Sequence, residues 1–139
     1  QKEPVKEIQV TEKILKGEET ILLVDDEEMI IDVGKVMLST LGYNFFVAKS
    51  GKEAVGIYKQ NQDKIDMVIL DMIMPDMNGQ ETYDHLHEIN PDVKVLLSSG
   101  YSINDQTKDL LVNGCNGFIQ KPFNIKQMSV KIREVLDKD

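Results

Sequence analysis

Short runs of apolar residues alternate along this chain with longer stretches in which apolar residues recur at every third or fourth position. The apolar runs predict five strands, at residues 20–24, 43–48, 67–70, 93–98 and 116–120. The stretches between and after them predict five helices, at residues 29–41, 50–61, 79–89, 102–114 and 124–136. Strand–helix repeats with helices of about 10–15 residues predict a parallel sheet that is covered on both faces.

The predicted helices carry recognisable signals at their ends. Gly42 follows the first helix at the C′ position. Ser50 and Glu53 have the spacing of a capping box at the start of the second helix, residues 102–105 can cap the fourth, and Asn124 caps the last. The apolar positions near helical spacing in the first helix are Ile30, Val33, Val36, Met37 and Leu41. Those that share one face of the last helix are Ile125, Met128, Ile132 and Leu136.

Residues 1–19 fall outside this alternation. They contain four Lys, five Glu and scattered apolar residues, and Gly17 then interrupts the pattern. We interpret the segment as a linker, as the end of an upstream domain, or as a terminal arm. Residues 20–139 then form the folded domain. Because the chain starts at Gln1 rather than at Met, it is expected to be part of a longer parent protein.

Composition and charge limit the class of protein. A chain of 139 residues forms one domain. The single Cys115 cannot form an internal disulfide, which favours a reducing compartment and argues against a structural zinc site. No apolar run approaches the length of a membrane span and no signal-like segment is present, so a cytoplasmic location is expected, with membrane attachment of the parent left open. A net charge of −8 argues against direct nucleic-acid binding.

Polar side chains collect where four of the predicted strands end. Asp25 and Asp26 follow the first strand, Asp71 the third, Ser99 the fourth and Lys121 the fifth. Because the carboxyl ends of parallel strands share one edge, where ligands bind in open α/β sheets, these side chains are expected to converge. Taken one at a time, each also fits an ordinary role as a cap, a turn residue or a solvated charge.

The charges of this group make a cation necessary. Three carboxylates and one ammonium sum to −2, and such a cluster raises the carboxylate pKa values unless a cation fills it. Carboxylate oxygens together with water are the ligands that Mg²⁺ prefers. With Mg²⁺ bound the sum is zero, and an incoming phosphoryl group is no longer repelled.

The same residues resemble the receiver domains of two-component signalling. The matching motifs are VDD at 24–26, DMIMPDMNG at 71–79, Ser99-Gly100, and KPF at 121–123, and the separation of Ser99 from Lys121 also fits. The resemblance covers about residues 20–138 and is strongest to receivers attached to hybrid histidine kinases. It implies a doubly wound α/β fold, with a flavodoxin-like parallel sheet of strand order 2-1-3-4-5.

The resemblance also implies a role for each matching residue. Asp71 is the phosphoacceptor, and Ser99 and Lys121 contact the phosphoryl group. The expected metal ligands, for Mg²⁺ or Mn²⁺, are Asp25, Asp26, Asp71 and the backbone carbonyl of Ile73. The switch positions are Ser99 and Phe118, although Phe118 also fits plain core packing. The peptide bond before Pro122 is expected to be cis.

Partners follow from the resemblance as well. The phosphodonor is expected to be a phosphohistidine on a histidine kinase or a histidine phosphotransfer domain. The isolated domain is not expected to be an enzyme, apart from promoting its own phosphorylation and dephosphorylation, and a homodimer stays open. Residues 102–136 are the expected output surface. Ile73 and Tyr101 occupy the two variable positions that flank the site, and because both are bulky they predict a long-lived phosphoryl group.

Three alternatives keep the fold and change the function. A flavodoxin-like cofactor binder needs a phosphate loop after the first strand, where this chain has four acidic residues at 25–28. An aspartate-nucleophile phosphatase carries a second Asp two residues after the first, where this chain has Ile73. A receiver-like interaction module that is never phosphorylated is disfavoured because Asp26, Asp71, Ser99 and Lys121 are all present.

Overall fold

A five-stranded parallel sheet forms the centre of the computed structural model, which describes residues 14–100, 105–112 and 114–138. The strands are β1 (Thr20–Val24), β2 (Asn44–Ala48), β3 (Met67–Asp71), β4 (Val95–Ser99) and β5 (Gly117–Gln120). The helices are α1 (Glu28–Thr40), α2 (Gly51–Asn61), α3 (Gly79–Ile89), α4 (Asp105–Val112) and α5 (Ile125–Leu136). The order is β2-β1-β3-β4-β5 and every neighbouring pair is parallel, which confirms the predicted fold class.

Helices cover both faces of the sheet. On β1, Leu22 and Val24 pack into a core with α2, α3 and α4, while Ile21 and Leu23 pack into a second core with α1 and α5. All four of these side chains are at most 1% exposed. Because both faces are buried, the central strands are continuous apolar runs and not alternating ones.

The buried face of α1 differs from the predicted one. Val33 and Val36, predicted to share the apolar face, are 43% and 66% exposed. Gly34 faces the sheet instead, and a Cβ there would lie only 2.6 Å from Cδ2 of Leu23. The absence of a side chain at Gly34 therefore lets α1 approach β1 closely, with Leu38 buried one turn further along.

Helix ends agree with the predictions in part. Asn124 caps α5 and forms a full capping box with Gln127. At α2, the Ser50 hydroxyl accepts from the amide of Glu53 (3.1 Å), as predicted. The Glu53 carboxylate, however, accepts from the amide of Lys49 and not from that of Ser50, so the predicted box is only half formed. The predicted cap at 102–105 lies outside the described residues except for its last position.

Three strands are shorter at their start than predicted, and β2 begins at Asn44, one residue late. The amide of Val93 donates to the carbonyl of Asn90 (3.0 Å), so the turn continues and β4 begins at Val95. Asn116 pairs with Val95 through its side-chain oxygen (2.8 Å) as well as through its backbone, and β5 begins one residue later.

Residues 14–19 pack against the folded domain. The guanidinium of Arg133 on α5 forms two hydrogen bonds with the Glu19 carboxylate (2.9 and 3.0 Å), two with the carboxylate of Asp137 (2.6 and 3.3 Å), and one with the Tyr43 hydroxyl (3.2 Å). The amide of Gly17 donates to the carbonyl of Leu41 (3.1 Å). The last part of the predicted linker is thus attached to α5 and to the end of α1.

No helix in residues 14–100, 105–112 or 114–138 combines the length and the apolar character that a membrane span requires.

The turn after α1 provides a test of the fold. Gly42 has a φ of +96°, and a Cβ there would lie 2.6 Å from the carbonyl oxygen of Gly17. We expect Gly42→Ala to lower the free energy of unfolding by about 1–2 kcal/mol, because an L side chain is strained at positive φ. Urea denaturation followed by circular dichroism measures the change.

Gly56 supplies the matched control for that substitution. It lies in the middle of α2, and a Cβ there would meet no atom within 4 Å. Gly56→Ala should raise the free energy of unfolding by about 0.5–1 kcal/mol, since alanine is the better helix former. A Gly42→Ala protein as stable as Gly56→Ala would contradict the account of the turn.

Candidate functional site

The predicted site residues meet at the carboxyl edge of the sheet. Asp71 is the last residue of β3, and Asp25 and Lys121 lie just beyond the ends of β1 and β5. Backbone pairing continues to both of them, because the amide of Asp25 donates to Ala48 (3.1 Å) and that of Lys121 to Ser99 (2.7 Å). These backbone hydrogen bonds therefore fix the positions of the Asp25 and Lys121 Cα atoms, from which the side chains extend into the site.

An ammonium group joins the two buried carboxylates. The Nζ of Lys121 lies 3.0 Å from Oδ2 of Asp25 and 3.3 Å from Oδ1 of Asp71. Asp25 is 1% exposed and Asp71 is 3% exposed. Both contacts are thus ion pairs shielded from water, where charges interact more strongly than at the surface.

A third carboxylate completes an acidic cluster. Asp25, Asp26 and Asp71 each offer a carboxylate oxygen, and these three atoms lie within 4.8 Å of one another. Asp26 is exposed, so the cluster is open to solvent on one side. In the part of the chain that the structure describes, this is the one group of acidic, His or Cys side chains placed to share a metal ion. Its oxygen donors suit a hard divalent cation.

A shallow crevice of about 510 Å³ lies over the cluster. Its lining includes Asp26, Glu27, Ile73 and Gly100. Because the Ile73 side chain is 60% exposed at this position, it forms part of the rim. The space beside Gly100, directly after β4, is open, since a Cβ there would meet nothing within 4 Å.

Burial perturbs the ionisation of Asp71. Loss of water, followed by repulsion from Asp25, raises the pKa of the Asp71 carboxyl to about 7, against an opposing effect of Lys121. Without a cation, this carboxyl therefore holds its proton to a higher pH than an ordinary Asp does. A bound cation favours the charged form and restores the carboxylate.

Lys121 stays charged in spite of its surroundings. Burial by itself would lower the pKa of its ammonium, but the contacts with Asp25, Asp71 and Glu27 outweigh burial and raise that pKa. The lysine is consequently a permanent positive charge on one side of the Asp71 carboxyl.

The loop between β3 and α3 carries the rim of the crevice. It closes on itself, because the amide of Gly79 donates to the carbonyl of Met72 (2.9 Å). A Cβ at Gly79 would lie 2.8 Å from the Met72 Cα, so only glycine permits this approach. Within the loop, the amide of Ile73 faces Oδ1 of Asp71 at 3.4 Å.

The remaining predicted positions are placed as follows. Ser99 ends β4 and is 5% exposed. Phe118 is partly buried and packs against the core that α2, α3 and α4 cover. The Lys121–Pro122 peptide bond is cis. Tyr101 lies outside the described residues.

Sequence reasoning missed two contributors. Glu27 is 3.3 Å from the Lys121 ammonium through Oε1, and its amide donates to Oδ1 of Asp25 (2.9 Å). The run of four acidic residues that includes Glu27 was the sequence feature that could have indicated its place at the site. Asp76 accepts hydrogen bonds from the amides of Gly51 and Lys52. The sequence offered no signal for that contact, since the partners are about 25 residues away.

Comparisons with known proteins agree on one family. The family described as "Response regulator receiver domain" matches residues 21–133. The chain is 35% identical over 124 residues to "Sensor kinase CckA" of Brucella abortus, covering 89% of this chain and 13% of that protein. It is 32% identical over 116 residues to "Transcriptional regulatory protein CpxR" of Escherichia coli, covering 84% of this chain and 48% of that one. The chain thus spans about half or less of these two relatives.

Solved structures show the same similarity. A chain in the crystal structure of the CheX–CheY–BeF3–Mg²⁺ complex from Borrelia burgdorferi superimposes with a TM-score of 0.82. The two are 29% identical, and the match covers 86% of this chain and 90% of that one.

The raised pKa of Asp71 predicts a pH-dependent stability in protein freed of metal by a chelator. The folded state favours the protonated carboxyl, so the wild type loses stability as the pH rises from about 4, near the pKa of an unfolded Asp, to about 7. Asp71→Asn removes this loss. At pH 8 the variant should be more stable by a few kcal/mol, since each pKa unit corresponds to about 1.4 kcal/mol.

Urea denaturation at pH 5 and pH 8 measures the difference, which should shrink at the lower pH. Asp63→Asn is the control, because Asp63 is exposed in the turn before β3, at the opposite edge of the sheet. A pH-independent gap between Asp71→Asn and the wild type would contradict the assignment.

Proposed function

Because this chain belongs to the response regulator receiver domain family, we propose that Asp71 accepts a phosphoryl group from a phosphohistidine on a partner protein, in a reaction that requires Mg²⁺. One observation carries the proposal. The buried Asp71 carboxylate lies 3.3 Å from the Lys121 ammonium and within 4.8 Å of carboxylate oxygens of Asp25 and Asp26, at the open edge of the sheet. A nucleophile, a fixed positive charge and a set of metal ligands are thus within a few ångströms of one another.

The chemistry asks little of the protein beyond alignment and charge. An Oδ atom of Asp71 forms a bond to phosphorus while the phosphorus–nitrogen bond of the donor breaks, and the electron pair of that bond stays with the imidazole. Lys121, held near Asp71 by Asp25, offsets the charge on the phosphoryl oxygens. Later attack by water on phosphorus regenerates the Asp71 carboxylate and ends the signal.

The acidic cluster fits a divalent ion, which we propose to be Mg²⁺, or Mn²⁺ in its place. Asp25, Asp26, Asp71 and the backbone carbonyl of Ile73 would hold it. When bound, the ion supplies positive charge that lowers the repulsion between the carboxylates and the phosphoryl group. The raised pKa of Asp71 supports this role, because the carboxylate must be ionised to attack.

Ser99 and Phe118 would convert phosphorylation into a change of shape. The Ser99 hydroxyl, at the end of β4, would donate a hydrogen bond to the phosphoryl group. Phe118, partly buried on the adjacent strand β5, would change its packing in response. Residues 102–136, which include α4, β5 and α5, would then present the altered output surface to a partner.

The partner would be a histidine kinase or a histidine phosphotransfer domain. Met29, Val33 and Val36 form an exposed apolar stripe on α1, which starts beside the acidic cluster. Their spacing places them on one side of the helix, where they would give a protein donor a surface to bind. The similarity to part of a sensor kinase supports a receiver within a hybrid histidine kinase, with residues 1–19 as a linker.

An analogue of the phosphoryl group and a small phosphoryl donor test the proposed function. With Mg²⁺, beryllofluoride should shift the amide resonances around the crevice, and acetyl phosphate should add the mass of one phosphoryl group. Asp71→Asn should abolish both effects because it removes the nucleophile, whereas Asp63→Asn should retain them. Labelling of Asp71→Asn, or equal labelling in the presence of a chelator, would exclude the mechanism, whereas a wild type with neither labelling nor a beryllofluoride shift would favour an interaction module that is not phosphorylated.

The rim residue Ile73 predicts a slow loss of the phosphoryl group. Its side chain is 60% exposed at the crevice and cannot hydrogen-bond a water molecule. Ile73→Asn introduces an amide that can orient water, and we expect dephosphorylation about 5-fold faster, since one hydrogen bond is worth about 1 kcal/mol. Ile73→Leu is the control and should keep the wild-type lifetime. Equal lifetimes of the phosphoryl group in all three proteins would show that the side chain at position 73 does not control dephosphorylation.

A further inference from the structure

Asp76 connects the loop after the phosphoacceptor to a separate helix. Its Oδ1 accepts a hydrogen bond from the amide of Gly51 (3.2 Å), and its Oδ2 accepts one from the amide of Lys52 (3.1 Å). These amides belong to the first turn of α2, where backbone donors have no partner within the helix. The positive end of the helix dipole favours a carboxylate at this place.

The loop backbone lies directly against the start of α2. A Cβ at Gly51 would be 2.8 Å from the Met77 Cβ and 3.1 Å from the Met77 carbonyl oxygen. Only a glycine therefore allows this contact. The two hydrogen bonds of Asp76 and the close packing of Met77 hold the same part of the loop.

Other contacts hold the two ends of the loop. The amide of Gly79 donates to the carbonyl of Met72, and Asn78 forms a capping box with Glu81 at the start of α3. Ile73 lies between Met72, at the first of these contacts, and Asp76. The path of the loop at Ile73 thus depends on hydrogen bonds on both sides of it, at Met72 and at Asp76.

Capping of α2 does not by itself account for Asp76. The Ser50 hydroxyl already caps this helix by accepting from the amide of Glu53 (3.1 Å), and the Glu53 carboxylate accepts from the amide of Lys49. Those bonds stay within residues 49–53. The bonds of Asp76 instead join α2 to the loop that begins at Asp71.

We propose that Asp76 is a positioning residue for the metal site. By fixing the middle of the loop to the N-terminus of α2, it holds the backbone carbonyl of Ile73 toward the acidic cluster, so that affinity for Mg²⁺ depends on it. The inference rests on the proposed function, because it uses the metal ligands assigned there. Asp76 touches neither the metal nor the phosphoryl group and acts through Ile73.

Two matched substitutions separate this role from helix capping. Asp76→Ala and Ser50→Ala each remove hydrogen bonds to the first turn of α2, so both should lower the urea midpoint. Only Asp76→Ala should raise the Mg²⁺ dissociation constant, by about 10-fold, which is the size of effect that groups supporting metal ligands produce. Titration of Mg²⁺ alone, followed by amide chemical shifts, measures this constant without any phosphodonor.

The labelling kinetics provide a second readout. In Asp76→Ala the rate of labelling by acetyl phosphate should fall at low Mg²⁺ and recover at saturating Mg²⁺, since the nucleophile and Lys121 are intact. Asp76→Asn keeps one oxygen acceptor and should restore part of the affinity. A dissociation constant for Asp76→Ala equal to that of Ser50→Ala would overturn the inference.

The inference and the proposed function fail in different ways. A wild-type protein that binds Mg²⁺ but takes no phosphoryl group would overturn the proposed function alone, because the Mg²⁺ titrations of the two variants still decide the role of Asp76. A wild-type protein that binds no Mg²⁺ would overturn both.

Discussion

The buried ammonium group of Lys121, at the end of β5, binds two carboxylates that lie at the ends of two other strands. Asp25 follows β1 and Asp71 ends β3, but β5 is separated from β3 by β4. With neighbouring strands about 4.8 Å apart, Lys121 must cross the end of β4 to reach both carboxylates. The crossing requires a long side chain just beyond the end of β5, which Lys121 provides. The register of the sheet therefore determines whether Lys121 can reach both carboxylates, and so it determines the charge of the site.

The same constraint leaves the site short of positive charge. One ammonium is shared between two buried carboxylates, and Asp26 adds a third negative charge at the surface. This excess of negative charge, together with burial, raises the pKa of Asp71, which lies close to the Asp25 carboxylate. Stability and reactivity oppose each other here, because the arrangement that prepares Asp71 for a cation also destabilises its charge in the cation's absence.

Local patterns in the sequence were enough to predict the sheet, the order of the elements and the cluster at the strand ends. Each strand-end residue follows an apolar run, and the edge at which such residues meet is fixed by parallel topology. Contacts between distant segments were not predictable in this way. The burial of Gly34 against Leu23 is invisible to a count of apolar residues, and the bonds of Asp76 to α2 depend on where two loops meet in space. Glu27 is intermediate, since its position was evident but its contact with Lys121 was not.

The network around Arg133 has a consequence for how the domain is joined to other segments. Glu19 precedes β1 and Asp137 follows α5, and Arg133 binds both, so the incoming and outgoing backbone run side by side at the amino edge of the sheet. A strand of five residues, about 17 Å long, separates that edge from the acidic crevice. The two junctions of the domain, at Glu19 and Asp137, thus lie at the end of the strands opposite the crevice, and neither covers the face that a visiting protein would approach.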